Sequence, residues 1–320
     1  QMVSEVLQHV QTGWGGRVAP TAGAHAAPPI ASVAPTHRPM AASAVTGAAG
    51  RFGQFTDVDQ AVEAAQVAQR ALMARSHAQR REIVDIIRKI CRDRADEFGR
   101  LEYEETKIGH PPHKAEKIRG VGQKRIIVES LQPPAFTGDH GITLEERGPW
   151  GVIGVITPVT HSLPTLADNA GNMIVAGNSL VVNPHPGGKK IAAYGAQLFN
   201  QAIVEATGID NLICVITEPT LESASAIFSH PKVDLLAVTG GPGVVAAALK
   251  SGKRAICAGP GNPPAVVDAS ADIDNAARCI IDGGAYDNNL LCLSEKEVFV
   301  ESPVFDAFMD AMGRAGACKL

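Results

Sequence analysis

Cys292 sits in the stretch Tyr286-Asp287-Asn288-Asn289-Leu290-Leu291-Cys292-Leu293-Ser294-Glu295-Lys296. A turn-prone Gly283-Gly284 precedes it, and a strand-like run, Glu297-Val298-Phe299-Val300, follows. A nucleophilic thiol needs such a setting: a loop open to substrate, on a rigid scaffold, with backbone N–H groups close by. A free cysteine is more often a small buried hydrophobe than a nucleophile. Cys292 alone leaves both readings open, and the elements around it must decide.

The 320 residues are 45% hydrophobic and 19% charged, with net charge −4, which allows one large core or two domains. Mild acidity without a basic, aromatic-laced stripe argues against nucleic acid as a partner. No apolar run is long enough to span a bilayer, and the start lacks the charged-then-apolar layout of a secretory signal. The six cysteines are scattered without a Cys-x-x-Cys pair, so a reducing compartment is expected, with no disulfide framework and no metal site. His110 and His113 share a Pro-rich turn and read most simply as surface residues.

In residues 1–11, Val3, Val6, Leu7 and Val10 fall on one helical face. From Thr12 to about Gly50 the chain is rich in Ala, Pro, Gly, Thr and Ser with no apolar period, the composition of a disordered linker. A sticky helix on a flexible tether is a docking device; a frayed tail is the plainer alternative. Folding begins near Phe52. Asp57 with Gln60 and Ser76 with Gln79 are capping boxes. The first opens a helix, and the second opens a long helix ending near Thr106. A further helix is expected over Ala115–Ser130. Asp139-His140-Gly141 reads as a hairpin turn leading into a strand with Ile142 and Leu144.

From Trp150, short continuous apolar runs alternate with helical segments. The runs are Gly151–Thr157, Ser179–Asn183, Leu212–Ile216, Val233–Val238, Ala255–Cys257 and Ala265–Asp268. Runs without polar alternation predict an α/β fold, a parallel sheet buried on both faces by helices. Ligands of such sheets bind beyond the strands' carboxyl ends. Four Gly/Pro-rich turns fall there, beginning at Thr157, Asn183, Thr239 and Gly259. One such turn would be punctuation; four at equivalent strand ends favour a nucleotide site. None is the usual Gly-x-Gly-x-x-Gly fingerprint. After Asp272 a second domain begins, with a helix over Ala276–Gly283, the Cys292 loop, the strand to Val300 and a helix capped by Ser302. The chain is expected to stop within that domain, and Gln1 in place of Met points to a fragment.

Taken together, these segments resemble the aldehyde dehydrogenase superfamily. The particular likeness is to the coenzyme-A-acylating enzymes of bacterial microcompartments, and it runs from about Phe52 to the end. The motifs that carry it are Thr137-Gly-Asp-His-Gly-Ile-Thr-Leu144, Pro149-Trp-Gly-Val-Ile-Gly-Val-Ile-Thr-Pro158, Asn183-Pro-His-Pro-Gly187, Thr239-Gly-Gly-Pro-Gly243, Ala258-Gly-Pro-Gly-Asn-Pro-Pro264 and Asp287-Asn-Asn-Leu-Leu-Cys-Leu-Ser-Glu-Lys-Glu297. The implied organisation is a targeting helix and linker over 1–50, a Rossmann-like NAD-binding domain over 51–268 and the beginning of a catalytic domain over 269–320. An oligomerisation hairpin would lie near 137–148.

The resemblance implies Cys292 as nucleophile and a thioester on its sulfur as intermediate. It places Thr157 and Pro158 toward the nicotinamide ribose. Asn183, His185, Pro186 and Gly187 fall near the adenosine end, and Thr239, Gly240 and Gly241 along the pyrophosphate. Ala258 and Gly259 belong to the same cleft. Hydrolytic relatives carry a glutamate where Ala258 stands. Alanine cannot act as general base, help typically worth ~10²–10⁴-fold, so the coenzyme A thiol is the expected acyl acceptor. His161 departs from the asparagine common at its position. It is an oxyanion donor, a base or a structural histidine. Asn183 lacks the charge that would neutralise a 2′-phosphate, which favours NAD over NADP. The implied substrate is a short-chain aldehyde, and the implied assembly a homo-oligomer in the bacterial cytoplasm, inside a protein shell reached through residues 1–11. A hydrolytic enzyme and an inactive, encapsulated binding fragment are the competing readings.

Overall fold

The structure is a computed structural model, and it describes residues 50–124 and 131–318. The 1–11 segment and its linker lie outside the described residues. After a two-residue strand, β1 (Gln54–Phe55), four helices follow: α1 (Val58–Met73), α2 (His77–Asp93), α3 (Ala95–Thr106) and α4 (Pro111–Gln123). Asp57 caps α1 by accepting the Gln60 N–H at 2.9 Å, and Ser76 and Gln79 form a reciprocal capping box on α2. The single long helix expected from Ser76 to Thr106 is broken at Arg94, whose backbone is not helical (φ −113°, ψ 18°). A one-residue break leaves the apolar period nearly in phase, so the pattern runs through it. Past the break α3 packs closely on α4, where Gly99 sits against the Ala115 backbone. α4 begins earlier than expected, because Pro111 at its first turn needs no N–H partner there. Of the expected 115–130 helix, residues 125–130 lie outside the described residues.

β2 (Ala135–Gly138) and β3 (Gly141–Leu144) form an antiparallel hairpin whose residues are all exposed. Then come β4 (Val152–Thr157), α5 (Ser162–Val175), β5 (Ser179–Pro184), α6 (Lys189–Thr207), β6 (Ile213–Ile216), α7 (Leu221–Ser229), β7 (Leu235–Thr239), α8 (Pro242–Lys250) and β8 (Ala255–Ala258). The main sheet is parallel, in the order β1-β6-β5-β4-β7-β8. Every residue of β4, β5 and β6 is buried, as their unbroken apolar runs require. One face packs on Leu163, Leu166, Phe199 and Ile203; the other packs on Val58, Val62, Ile227 and Phe228. β1 escapes a sequence reading because two residues carry no period.

The run near Ala265, expected in the main sheet, belongs elsewhere. β9 (Pro264–Val267) pairs in parallel with β10 (Glu297–Val300), and both alternate in exposure. An apolar run signals a strand but not which sheet it joins. With α9 (Ile273–Ala285) and α10 (Phe305–Arg314), these strands enclose a small separate core of Val267, Ala277, Phe308 and Ala311. Ser302, expected as a helix cap, instead opens a 3₁₀ turn, Ser302–Val304, ahead of α10. Among the described residues no helix is long and apolar enough to cross a membrane.

Candidate active site

The strand order reverses at β4: the chain moves outward through β5 and β6, then returns to add β7 and β8 on the other side. The crevice at such a reversal, beyond the carboxyl ends of the strands, is where open α/β sheets bind ligands. Thr157 ends β4 with Pro158 just beyond it, and Thr239 ends β7 with Gly240 and Gly241 just beyond it, so these two stretches flank it. Thr157 is fully buried, yet its Oγ1 has no hydrogen-bond partner. The next turn is fixed to it, since the His185 N–H donates to the Thr157 carbonyl at 3.0 Å. Across the crevice, the Gly240 N–H donates to the Ala258 carbonyl at 3.1 Å. Asn183, His185, Pro186 and Gly187 continue from β5 along the same edge. His185 stands exposed, its Nδ1 accepting the Gly187 N–H at 3.0 Å. Asn183 is buried and already engaged: its amide donates to the Thr220 carbonyl (3.3 Å) and accepts the Ser223 hydroxyl (2.6 Å).

The turn after β4 is pinned at its far end as well. The buried Ser162 hydroxyl donates to the Gly188 carbonyl at 2.9 Å, and a Cβ on Gly188 would lie 2.8 Å from that of Ser162. Only glycine permits this approach. Between Thr157 and Ser162 stands His161. Burial holds its imidazole far below the ordinary histidine range, at about 3, and the nearby Lys117 and Lys114 ammonium groups push the same way. The ring is neutral at ordinary pH, and its Nδ1 is buried without a protein partner.

Cys292 is exposed, on the loop between α9 and β10. The loop is built from unusual backbone: Asp287, Asn288 and Asn289 are consecutive left-handed residues (φ 50°, 57° and 59°). Asp and Asn tolerate this region better than most residues, whose cost is roughly 1–2 kcal/mol each. Polar contacts hold the loop in shape. Lys296 Nζ donates to the Asn289 and Leu291 carbonyls, both at 3.1 Å, and to the Asn289 side chain. Gly261 touches the Cys292 carbonyl, where a Cβ would stand 2.6 Å from the oxygen. The turn that begins at Ala258 and Gly259 is thereby seated against the cysteine loop.

Asp287 is wholly buried 5 residues before the cysteine, and its partners escaped the sequence reading. Its carboxylate accepts the His110 N–H (2.8 Å) and the Lys117 ammonium (2.6 Å), with Lys114 at 3.8 Å. Its own N–H donates to His113 Nδ1 at 2.9 Å, and His113 stacks on Tyr286. His113 is therefore half-buried in this contact, whereas His110 is exposed. Lys114 and Lys117 both donate to the Thr160 carbonyl, at 3.0 and 3.1 Å. Glu102, also fully buried, lies 3.6 Å from Lys114. Burial raises the Glu102 carboxyl against the pull of both lysines and the Ser162 N–H, and neither of its oxygens closes a hydrogen bond of normal geometry. Burial likewise lowers Lys117, against Asp287, which raises it. One faint signal was available: Lys114 and Lys117 are three apart, beside the apolar positions Ala115 and Ile118.

A parallel α/β sheet with a crevice at its reversal point and a cysteine loop beside it defines the class. The sequence pattern described as the aldehyde dehydrogenase family matches residues 32–317, and the chain belongs to that family. It is 42% identical over 272 residues to an acetaldehyde dehydrogenase (acetylating) of Bilophila wadsworthia, covering 85% of this chain and 56% of that one. It is 37% identical to a propanal dehydrogenase (CoA-propanoylating) of Salmonella typhimurium, covering 84% and 58%. Rhodopseudomonas palustris propionaldehyde dehydrogenase, solved with bound propionyl-CoA, superposes with a TM-score of 0.80 at 40% identity, covering 84% of this chain and 60% of that one. The chain thus spans less than two thirds of the length of these relatives.

Proposed function

We propose that the protein is an NAD-dependent, coenzyme-A-acylating aldehyde dehydrogenase for short-chain aldehydes. Ala258 carries the reading. The loop it begins lies against the Cys292 carbonyl through Gly261, and it offers a methyl group where a carboxylate would activate water. The neutral, weakly basic His161 supports the same conclusion, since a general base works best with a pKa near the working pH. It suits an imidazole N–H donor instead.

In this reading the Cys292 thiolate attacks the aldehyde carbon, the new C–S bond gives a thiohemiacetal, and the oxygen is held by the Cys292 N–H and by His161. NAD, when bound, supplies the acceptor for the hydride released from that carbon. Cys292 is left as a thioester, and the coenzyme A thiol takes the acyl group and restores the cysteine. The residues present fit the cofactor. Thr157 has a buried hydroxyl without a partner at the crevice, and Asn183 brings no positive charge for a 2′-phosphate. Thr157 and Pro158 would serve the nicotinamide ribose, Thr239 to Gly241 the pyrophosphate, and the turn from Asn183 to Gly187 the adenosine end. A solved relative from Clostridium phytofermentans is described as belonging to a fucose utilisation bacterial microcompartment. We extend that setting to this protein, with residues 1–11 as the shell-directed segment and the exposed hairpin β2–β3 as a contact between subunits.

The test is NADH formation from propionaldehyde and NAD by the protein expressed from its complete reading frame, with and without coenzyme A. Steady NADH only with coenzyme A is expected. Steady NADH without it would replace the acylating reading by a hydrolytic one.

A further inference from the structure

Two loops meet the reacting carbon in the proposed chemistry, the 158–162 turn with His161 and the 286–292 loop with Cys292. Among the described residues, no side chain of one is hydrogen-bonded directly to the other. What joins them comes from α3 and α4, far away in sequence. Lys117 donates at once to the Thr160 carbonyl (3.1 Å) and to Asp287 Oδ2 (2.6 Å). Lys114 repeats the bond to Thr160 at 3.0 Å and stands 3.8 Å from Asp287 and 3.6 Å from Glu102. Lys114, Glu102 and Asp287 are fully buried and Lys117 very nearly so. Two lysines and two carboxyl groups out of water are an arrangement in which each group depends on the others. Hydrophobic side chains would have held α4 in place with less desolvation, so packing alone does not account for them.

We propose that Glu102, Lys114, Lys117 and Asp287 form a positioning unit that locks the His161 turn and the Cys292 loop into one register. The unit touches neither substrate nor cofactor in this reading. It acts through backbone: two ammonium groups on the carbonyl that precedes His161, and a carboxylate that holds the first of three left-handed residues leading to Cys292. Asp287 is closed in on its other sides by the His110 N–H and by His113, which accepts its own N–H. The lysines thus brace the strained backbone at its buried end, and they fix the turn in the same act.

Hydrogen exchange tests this without reference to activity. In the Asp287→Asn variant, amides in both 159–163 and 286–292 should exchange at least about tenfold faster, while those of β4, β5 and β6 keep their protection. Lys117→Met should do the same from the other side. Loosening confined to the substituted residue's own loop would overturn the proposal. Should Asp287→Asn not fold, Glu102→Gln replaces it under the same criterion: both stretches loosened supports the unit, one or neither overturns it. The functional consequence rests on the reading of Cys292 as nucleophile. There, kcat should fall at least about tenfold with little change in KM for aldehyde, as expected when reacting groups are misplaced rather than binding lost. If the unaltered protein makes no NADH at all, that functional reading fails while the exchange result still stands on its own.

Discussion

The turn after β4 and the loop before β10 do related work and are built by opposite means. The first, from Thr157 to Ser162, is a strand-to-helix connection that leaves a fully buried strand, and most of its shape follows from local causes, a strand end, a 3₁₀ turn and a helix start, with Lys114 and Lys117 added at the Thr160 carbonyl. The second, from Tyr286 to Cys292, lies mostly on the surface, between α9 and β10. Its buried anchor, Asp287, is held by groups far away in the chain, among them the Lys117 ammonium and the His110 N–H, while Lys296 ties the exposed part. A rigid sheet edge sets the path of the first turn. The exposed Cys292 loop, which in the proposed chemistry must stay open to substrate, is held largely by charged groups.

The contrast breaks most completely at the thiol. Cys292→Ala should abolish NADH formation while leaving the fold intact, because the side chain is exposed and packs nothing. A variant with unchanged steady NADH would remove the whole loop from the chemistry. His161→Ala should cost about 10²–10³ in kcat, the usual price of one lost oxyanion donor. His161→Asn, which keeps an N–H donor, should stay within about tenfold of the parent. Equal losses in the two variants would instead make His161 structural.

On the sheet side, Gly188→Ala should destabilise by about 1–3 kcal/mol, since its Cβ would stand 2.8 Å from Ser162. Urea unfolding at fixed pH measures it. A neutral result would mean that the β4 turn yields easily, and the contrast with the charge-held loop would lose its force. The converse change, Ala258→Glu, probes the cysteine loop's surroundings. It should raise NADH formation in the absence of coenzyme A, because Ala258 is exposed and a carboxylate there faces no steric barrier.

The same division governs what the sequence reveals. The strands of the main sheet are legible because burial on both faces demands unbroken apolar runs, and Ser76 with Gln79 announces a helix start in four letters. Cys292 and Ala258 can be proposed from the sequence because each is a residue type with a chemical consequence. Lys114, Lys117 and Glu102 cannot. Lysines three apart on a helix read as a solvated edge, and nothing local says that Asp287 will arrive to bury them. The break at Arg94 is hidden because the apolar period barely notices it. The placement of β9 outside the main sheet is hidden because periodicity has no information about partners.

The smallest effect bears on His161 alone and separates its charge state from its role. The folded protein holds the imidazole neutral down to about pH 3, whereas the unfolded chain protonates it near 6.5. Between those two values the unfolded state binds a proton that the folded state refuses, so stability must rise with pH across the window and level off above it for this group. The slope from one such histidine is at most about 1.4 kcal/mol per pH unit. Urea unfolding of the parent and of His161→Asn, compared from pH 7 down to pH 5, isolates it from the carboxylates that both proteins share. The parent should lose stability faster as the pH falls, with the gap between the two growing steadily below 6.5. Parallel curves would mean that the ring accepts its proton in the folded state. His161 would then be basic enough to activate water, and the case for coenzyme A as acceptor would rest on Ala258 alone.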